Sequence, residues 1–346
     1  MPLDLCSPAE PSEPDPDKPR IPLRPEEAAR PGPAAPTLVA ARRRRSRTRG
    51  LRPPELALDI AQKVSRAWHA AHIGSRMDVP VGVVAVLSLL RPPDEGPDTA
   101  DRLLSLGAPE LLDFYRQVWG LLWISRPELV EWARPLHGWL DEETQDTRRL
   151  AAVQAVTLAA LEAGQLELTG DSDPFWRSEA DVLGFLVTEL RSPGSREALG
   201  QIHSPPDIAE LIARLTLSAQ DFPEGAWLGE PTAGTGGLVR AAAQHLREAG
   251  RDPRDFVWAM NDLDPISSAC CAVNAAVWDL GPRVLVSCRD TLHDGDGTEH
   301  AIADRAAIIA RRNELIGNAH SIAATLKAIA EVENLITGNA SQPKAS

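Results

Sequence analysis

The chain has 346 residues, 43% of them hydrophobic and 25% charged, and carries a formal net charge of −13 at pH 7. This balance weighs against a protein that coats nucleic acid with its whole surface and leaves only a local basic patch for such a contact. The longest apolar run, Val79 to Leu90, is too short for a membrane-spanning helix and contains Pro80 and Gly82.

The N-terminal stretch, acidic and rich in proline, has no secretory pattern, which predicts a cytoplasmic protein. Residues 1–52 are expected to form a disordered tail, since they hold too few large hydrophobes to offset the entropy of ordering. The tail carries a basic block, Arg42 to Arg49, either a solvated segment or an electrostatic contact for DNA or RNA phosphates. From Pro53 the pattern is helical: Leu56, Ile60, Val64, Trp68 and Ala71 share one face. The apolar segment Val79 to Leu90 stops at Arg91-Pro92-Pro93, and helices are expected over Asp101 to Leu106, Pro109 to Ile124, Pro127 to Leu140 and Thr147 to Ala163. Trp119, Trp123, Trp132 and Trp139 are expected as core anchors. Residues 53–168 therefore predict an all-helical domain.

A turn at Gly170 to Pro174 opens the next region, residues 169–298, with helices over Phe175 to Leu190 and Ile208 to Leu217. Ala226-Trp227-Leu228 then enters Glu230-Pro231-Thr232-Ala233-Gly234-Thr235-Gly236-Gly237-Leu238, and a helix from Val239 to Glu248 follows. Strand, glycine-rich turn and helix is the arrangement in which a nucleotide-like ligand meets bare backbone at a helix N-terminus. Val239 occupies the place where a dinucleotide fingerprint needs a third small residue. Glu230 suits instead a ligand with a cationic amino group, such as S-adenosylmethionine (AdoMet). A second strand, Phe256 to Met260, delivers Asp262 where a ribose diol is usually held, and a third, Arg283 to Ser287, delivers Asp290. Either carboxylate could equally be a solvated strand end or a helix cap. Successive strand–helix units predict an α/β fold with a parallel sheet and a ligand at its carboxyl edge.

Of the four cysteines, Cys6, Cys270, Cys271 and Cys288, none forms a C-x-x-C pair or stands at zinc-site spacing, so no metal is expected. Residues 299–346 read as two helices, Ala301 to Ile316 and Ala319 to Ile336, the second with an apolar stripe of Ile322, Leu326, Ile329, Val332 and Ile336.

Four segments in order, Gly200 to Pro205, the glycine turn, Asp262 to Pro265 and Arg289 to Leu292, resemble the adenine-N6 DNA methyltransferases of the type I restriction-modification kind, the modification-subunit family. The resemblance covers roughly Asp171 to Leu292. It implies a Rossmann-like AdoMet-dependent methyltransferase core with an incomplete sheet, preceded by the helical domain and followed by the two helices. It also implies that Ser204 and Pro205 line the methionine side of AdoMet and that Glu230, at the head of Glu230-Pro231, faces its amino group. Gly234, Thr235, Gly236 and Gly237 would admit the ligand to the backbone; Asp262 would take the ribose hydroxyls and Asp290 the adenine amino group. For His203, packing against the sheet edge is the better reading.

The family's catalytic tetrapeptide, Asn, Asp or Ser followed by Pro-Pro and Tyr or Phe, is missing. After Leu292 the chain runs into His293-Asp294-Gly295, and the near matches, such as Ser204-Pro205-Pro206-Asp207, lack the aromatic residue that would stack on a flipped base. No catalytic residue is therefore assigned. The expectation is an AdoMet-binding DNA methyltransferase-like protein, weak or inactive alone. The alternative is a non-catalytic binding or assembly module of a restriction or mobile-element system. A partner subunit would then supply catalytic or target-recognition parts, and an edge left open on the third strand would be covered by the two C-terminal helices or by that partner. An AdoMet-dependent enzyme acting on a small molecule or RNA has no supporting motif.

Overall fold

Helix α1, Pro53–Ala70, starts where Pro53 needs no amide partner and where the Glu55 carboxylate accepts the Arg52 amide at 3.0 Å. Its apolar face, Leu56, Ile60, Val64 and Trp68, is buried as the spacing predicts. The structure is a computed structural model that describes residues 50–336, apart from 73, 75, 94–97, 143–145, 193, 195–203, 218–221 and 296, and apart from the side chains of 294 and 334–336. The basic block Arg42 to Arg49, the rest of the N-terminal tail, Gly200 to His203 and Cys6 lie outside the described residues.

Helix α2, Asp78–Ser88, is apolar all round and buried from Val79 to Ser88, which makes it the centre of the helical region. Around it come α3 (Thr99–Leu104), α4 (Ala108–Ser125), α5 (Pro127–Trp132), α6 (Arg134–His137), a 3-10 turn over Gly138–Asp141, α7 (Thr147–Glu162) and α8 (Gln165–Thr169). The single helix expected over Pro127 to Leu140 is thus broken, with Pro135 restarting it in the first turn of α6. Trp119 and Trp139 are buried; Trp123 and Trp132 pack half-buried against the core.

The helix expected over Phe175 to Leu190 is also two: α9, Pro174–Arg177, and α10, Val182–Leu190. Asp181 divides them by capping α10, its carboxylate accepting the Gly184 amide at 2.9 Å. Helix α11, Pro206–Thr216, leads to the sheet.

Three parallel strands, β1 (Trp227–Glu230), β2 (Val257–Asn261) and β3 (Val284–Ser287), lie in the order β1-β2-β3. Glu230 is in register with Met260, and Asn261 with Ser287. The crossovers are α12, Gly237–Glu248, and α13, Pro265–Val277. Both step the same way across the sheet, so right-handed connections put both helices on one face. Contact between them agrees: the Arg247 guanidinium donates to the Trp278 carbonyl at the end of α13. The short α14, Thr291–Asp294, follows β3.

Helix α13 is buried over almost its whole length and packs on α2, α5, α6 and α10 as well as on β2 and β3. One continuous hydrophobic core therefore runs from Leu56 and Leu87 in the helical region to Trp258 and Val286 in the sheet. All described residues fall in one unit, Gly32–Ser346. The fold is mostly helical with a small parallel sheet, an α/β arrangement. No described helix is long and apolar enough to cross a membrane.

One expectation at the C-terminal end is corrected. The two helices are one, α15, Thr298–Ile336, because Gly317-Asn318 is carried inside a helix at a cost of about 1 kcal/mol rather than ending it. Of the two covers expected for the third strand, the chain's own C-terminal helix is the one present: α15, with α5, packs on β3, while β1 is half-exposed along its length, with Gly229 exposed.

Candidate functional site at the carboxyl edge of the sheet

Asn261, the last residue of β2, fastens the ends of all three strands. Its side-chain amide donates to the carbonyls of Pro231 at 3.2 Å and Arg289 at 2.9 Å. Its side-chain oxygen accepts from the Ser287 hydroxyl at 2.6 Å and the Arg289 amide at 3.1 Å, and its carbonyl accepts the Ala233 amide at 2.7 Å. With every polar group of the side chain paired, Asn261 is buried without penalty and fixes where each strand-end loop begins.

The glycine turn sits on this base. Gly234 has φ +58° and Gly236 φ +100°, the left-handed region where a Cβ is strained. The Gly234 amide donates to Asp262 Oδ2 at 2.7 Å, and its carbonyl accepts from the Cys271 thiol at 3.1 Å. Burial, reinforced by Cys270 and nearby carboxylates, pushes the Cys271 thiol well up, so it keeps the proton it donates. Gly236 is closed in by Trp278, whose ring would stand 3.0 Å from an added Cβ. At Gly234 and Gly237 an added Cβ would meet nothing within 4 Å, so the turn is open on that side.

Behind the turn lies a buried network centred on Asp181, which is 5% exposed. Besides capping α10, its carboxylate accepts from the Thr235 hydroxyl at 2.5 Å and the Asn274 side-chain amide at 3.0 Å. Asn274 donates as well to the Thr235 carbonyl at 2.8 Å. Two elements, the start of α10 and α13, thus hold Thr235 from behind. The sequence reading missed Asp181 because it fell inside one expected helix; the signal was an acidic residue just before the apolar pair Val182-Leu183.

Glu230, Asp262 and Asp290 stand at the carboxyl ends of three neighbouring strands, the outer two separated by about 10 Å at the usual inter-strand spacing. Glu230 Oε1 accepts the Thr232 amide and hydroxyl, each at 3.1 Å, and Oε2 has no partner among the described residues. Asp262 accepts the Gly234 amide on one oxygen and the Asp264 amide, at 2.9 Å, on the other. Each oxygen retains a lone pair, so the carboxylate can hold the turn and still accept two hydroxyls. Asp290 is exposed and caps α14, accepting the Leu292 amide at 3.0 Å with Oδ1. Pro231 is exposed at the start of the turn.

Ser204 and Pro205 immediately precede α11. Ser204 lines a crevice of about 10 Å³ with Asp181, Phe185, Gly237 and Arg240, which brings it to the first residue of the loop helix. Ser204 and Gly237 are therefore neighbours, and Glu230, Asp262 and Asp290 form one edge. The neighbouring Asp264 takes no part in that edge: it caps α13 through the Ser267 amide at 2.7 Å and pairs with Arg191 at 2.5 Å. Burial pushes the Asp264 carboxyl up, but Ser267 and Arg191 outweigh it and leave the group below its ordinary range. No cluster of metal-binding side chains occurs among the described residues.

The residues present fit AdoMet in three respects. An uncapped carboxylate oxygen at Glu230 suits the amino group, spare acceptors at Asp262 suit a ribose diol, and unobstructed backbone at Gly234 and Gly237 admits a ligand. No protein-family model and no curated protein matches the sequence.

Proposed function

We propose that the chain binds AdoMet at the glycine turn and is related to the adenine-N6 DNA methyltransferases of restriction-modification systems. The observation that carries this reading is the Gly234–Asp262 hydrogen bond. It locks the turn to the end of β2 while leaving backbone and carboxylate acceptors directed at the same edge as Glu230. In this reading Glu230 takes the amino group, Asp262 the ribose, Asp290 the adenine amino group, and Ser204 with Pro205 borders the methionine portion. AdoMet supplies an electrophilic methyl group on a sulfonium, and the acidic edge compensates its positive charge. Asn261 and Asp181 position the turn without touching the ligand.

Methyl transfer by the chain alone is expected to be weak or absent. A target amino group needs an acceptor beside the methyl donor and an aromatic surface for the extruded base. The segment after β3 passes instead from Asp290 into α14 and the long α15. A partner subunit that completes the sheet beside β1 would account for the half-exposed strand there.

Isothermal calorimetry with AdoMet tests the binding claim: saturable heat is expected, and none at high micromolar protein would refute it. Purified protein incubated with labelled AdoMet and DNA tests the second claim. Background incorporation is expected, and robust transfer would overturn the view that the chain lacks catalytic residues.

A further inference from the structure

Helix α15 docks only by its first turns. Ala301 is buried and Ile308 half-buried against α5 and β3, Arg305 donates to the Pro282 carbonyl at 2.8 Å, and Arg312 donates to the Ile124 carbonyl. From Asn313 to Glu333 every side chain is exposed except the half-buried Ile316. That exposed length is not polar. Leu315, Ile322, Leu326, Ile329 and Val332 are 48%, 61%, 62%, 49% and 53% exposed. Most helical stability in a folded protein comes from packing an apolar face, and among the described residues this stretch has nothing to pack on.

The spacing says what kind of partner. Along the exposed length Leu315, Ile322, Ile329 and Ile336 recur every seven residues. A straight helix drifts by about 20° per seven residues, so a constant repeat stays on one line only if the helix supercoils with another. Thr325, Ala328, Ile329 and Val332, with Glu333 at the rim, form a shallow, open apolar groove along one side of the helix. In the heptad with Ile322 and Ile329 at the first position, those four side chains are the set that surrounds a knob from the facing helix.

We propose that the exposed half of α15 pairs with the same segment of a second copy as a parallel, two-stranded coiled coil. β-Branched Ile322 and Ile329 at the first heptad position match half of the two-stranded parallel pattern; the fourth positions hold Asn318, Thr325 and Val332 in place of its leucines, which makes the pair a weak one. In register, the groove of one copy receives Ile329 of the other. The flanks raise no objection, because Glu314 then faces Ala319 and Glu333 faces Ala328, with no like charges opposed. The exposed segment is about 35 Å long and a facing strip about 10 Å wide, so the two copies bring together on the order of 700 Å². That is below the roughly 1,000 Å² expected of a stable specific interface, so the pair is a weak, transient dimer that dissociates on dilution.

Sedimentation velocity of the full chain up to about 100 µM tests this, since micromolar pairing is populated there. The parent chain is expected to shift from monomer to dimer with concentration. The double variant Ile322→Glu with Ile329→Glu should stay monomeric, and His320→Glu, on the outer face, should behave as the parent. In a background with Cys6→Ser and Cys288→Ser, Ile329→Cys should oxidise to a cross-linked dimer and His320→Cys should not. A parent that is monomeric throughout, a dimer that survives the double substitution, or a dimer in which Ile329→Cys fails to cross-link would each overturn the proposal.

Discussion

Replacing Asp181 by Ala would remove the acceptor on which three elements converge. The α10 cap at Gly184 is lost, and the Thr235 hydroxyl loses its acceptor in a closed site; Asn274 keeps its bond to the Thr235 carbonyl but loses the one to Asp181. A cap contributes about 1 kcal/mol and each of the two stranded buried donors about 1–3 kcal/mol, so a loss of about 3–7 kcal/mol is expected. Against a total stability of about 5–15 kcal/mol this is a severe change. Asp181→Asn separates hydrogen bonding from charge. Its oxygen can still accept from Gly184 and Asn274, which share Oδ1, and its new amide can donate to the Thr235 hydroxyl once that group rotates. That variant should lose about 1 kcal/mol or less. Urea unfolding followed by circular dichroism reads both, with the slope unchanged if only the native state is affected. A loss under about 1 kcal/mol for Asp181→Ala, or equal losses for Ala and Asn, would refute the account of the network.

Gly236→Ala places a Cβ at φ +100° and against the Trp278 ring, and should cost about 1–3 kcal/mol; an unchanged Tm would contradict this. The Asp264 carboxyl lies below its ordinary range in the folded chain, so its contribution is present above the unfolded value of about 4 and is lost as pH falls through the folded value. Acid titration should accordingly show a shallower loss of stability below about pH 4 for Asp264→Asn than for the parent, and identical acid slopes would exclude this origin. Burial pushes the thiols of Cys270, Cys271 and Cys288 up, but only Cys288 is exposed. Of these three, a thiol reagent should label Cys288 alone in the native chain, and native labelling of Cys271 would mean that the turn opens to solvent.

The parts of the fold that repeat with a simple period could be read in the sequence. Leu56, Ile60, Val64 and Trp68 announced the buried face of α1, and the apolar strand cores announced β1, β2 and β3 to within a residue or so. What escaped depends on competition between local signals and distant partners. Phe175 to Leu190 has helical periodicity throughout, but the Asp181 carboxylate gains more from Thr235 and Asn274 than from lying inside a helix. Gly317 read as a stop, although a flanking run of alanines and leucines carries the helix through it. At the carboxyl edge the acidic residues could be located from their places after each strand. The role of Asn261 could not, because its four side-chain bonds span segments that meet only in the folded chain.

Hydrogen exchange with and without AdoMet measures most directly whether the glycine turn is a ligand site, since the amides from Thr232 to Leu238 report on it themselves. Binding there should slow exchange across the turn and at the ends of β2 and β3, near Asp262 and Asp290, while α7 in the helical region is unaffected. Exchange that stays the same at the turn with saturating AdoMet, or slows only elsewhere, would contradict the assignment.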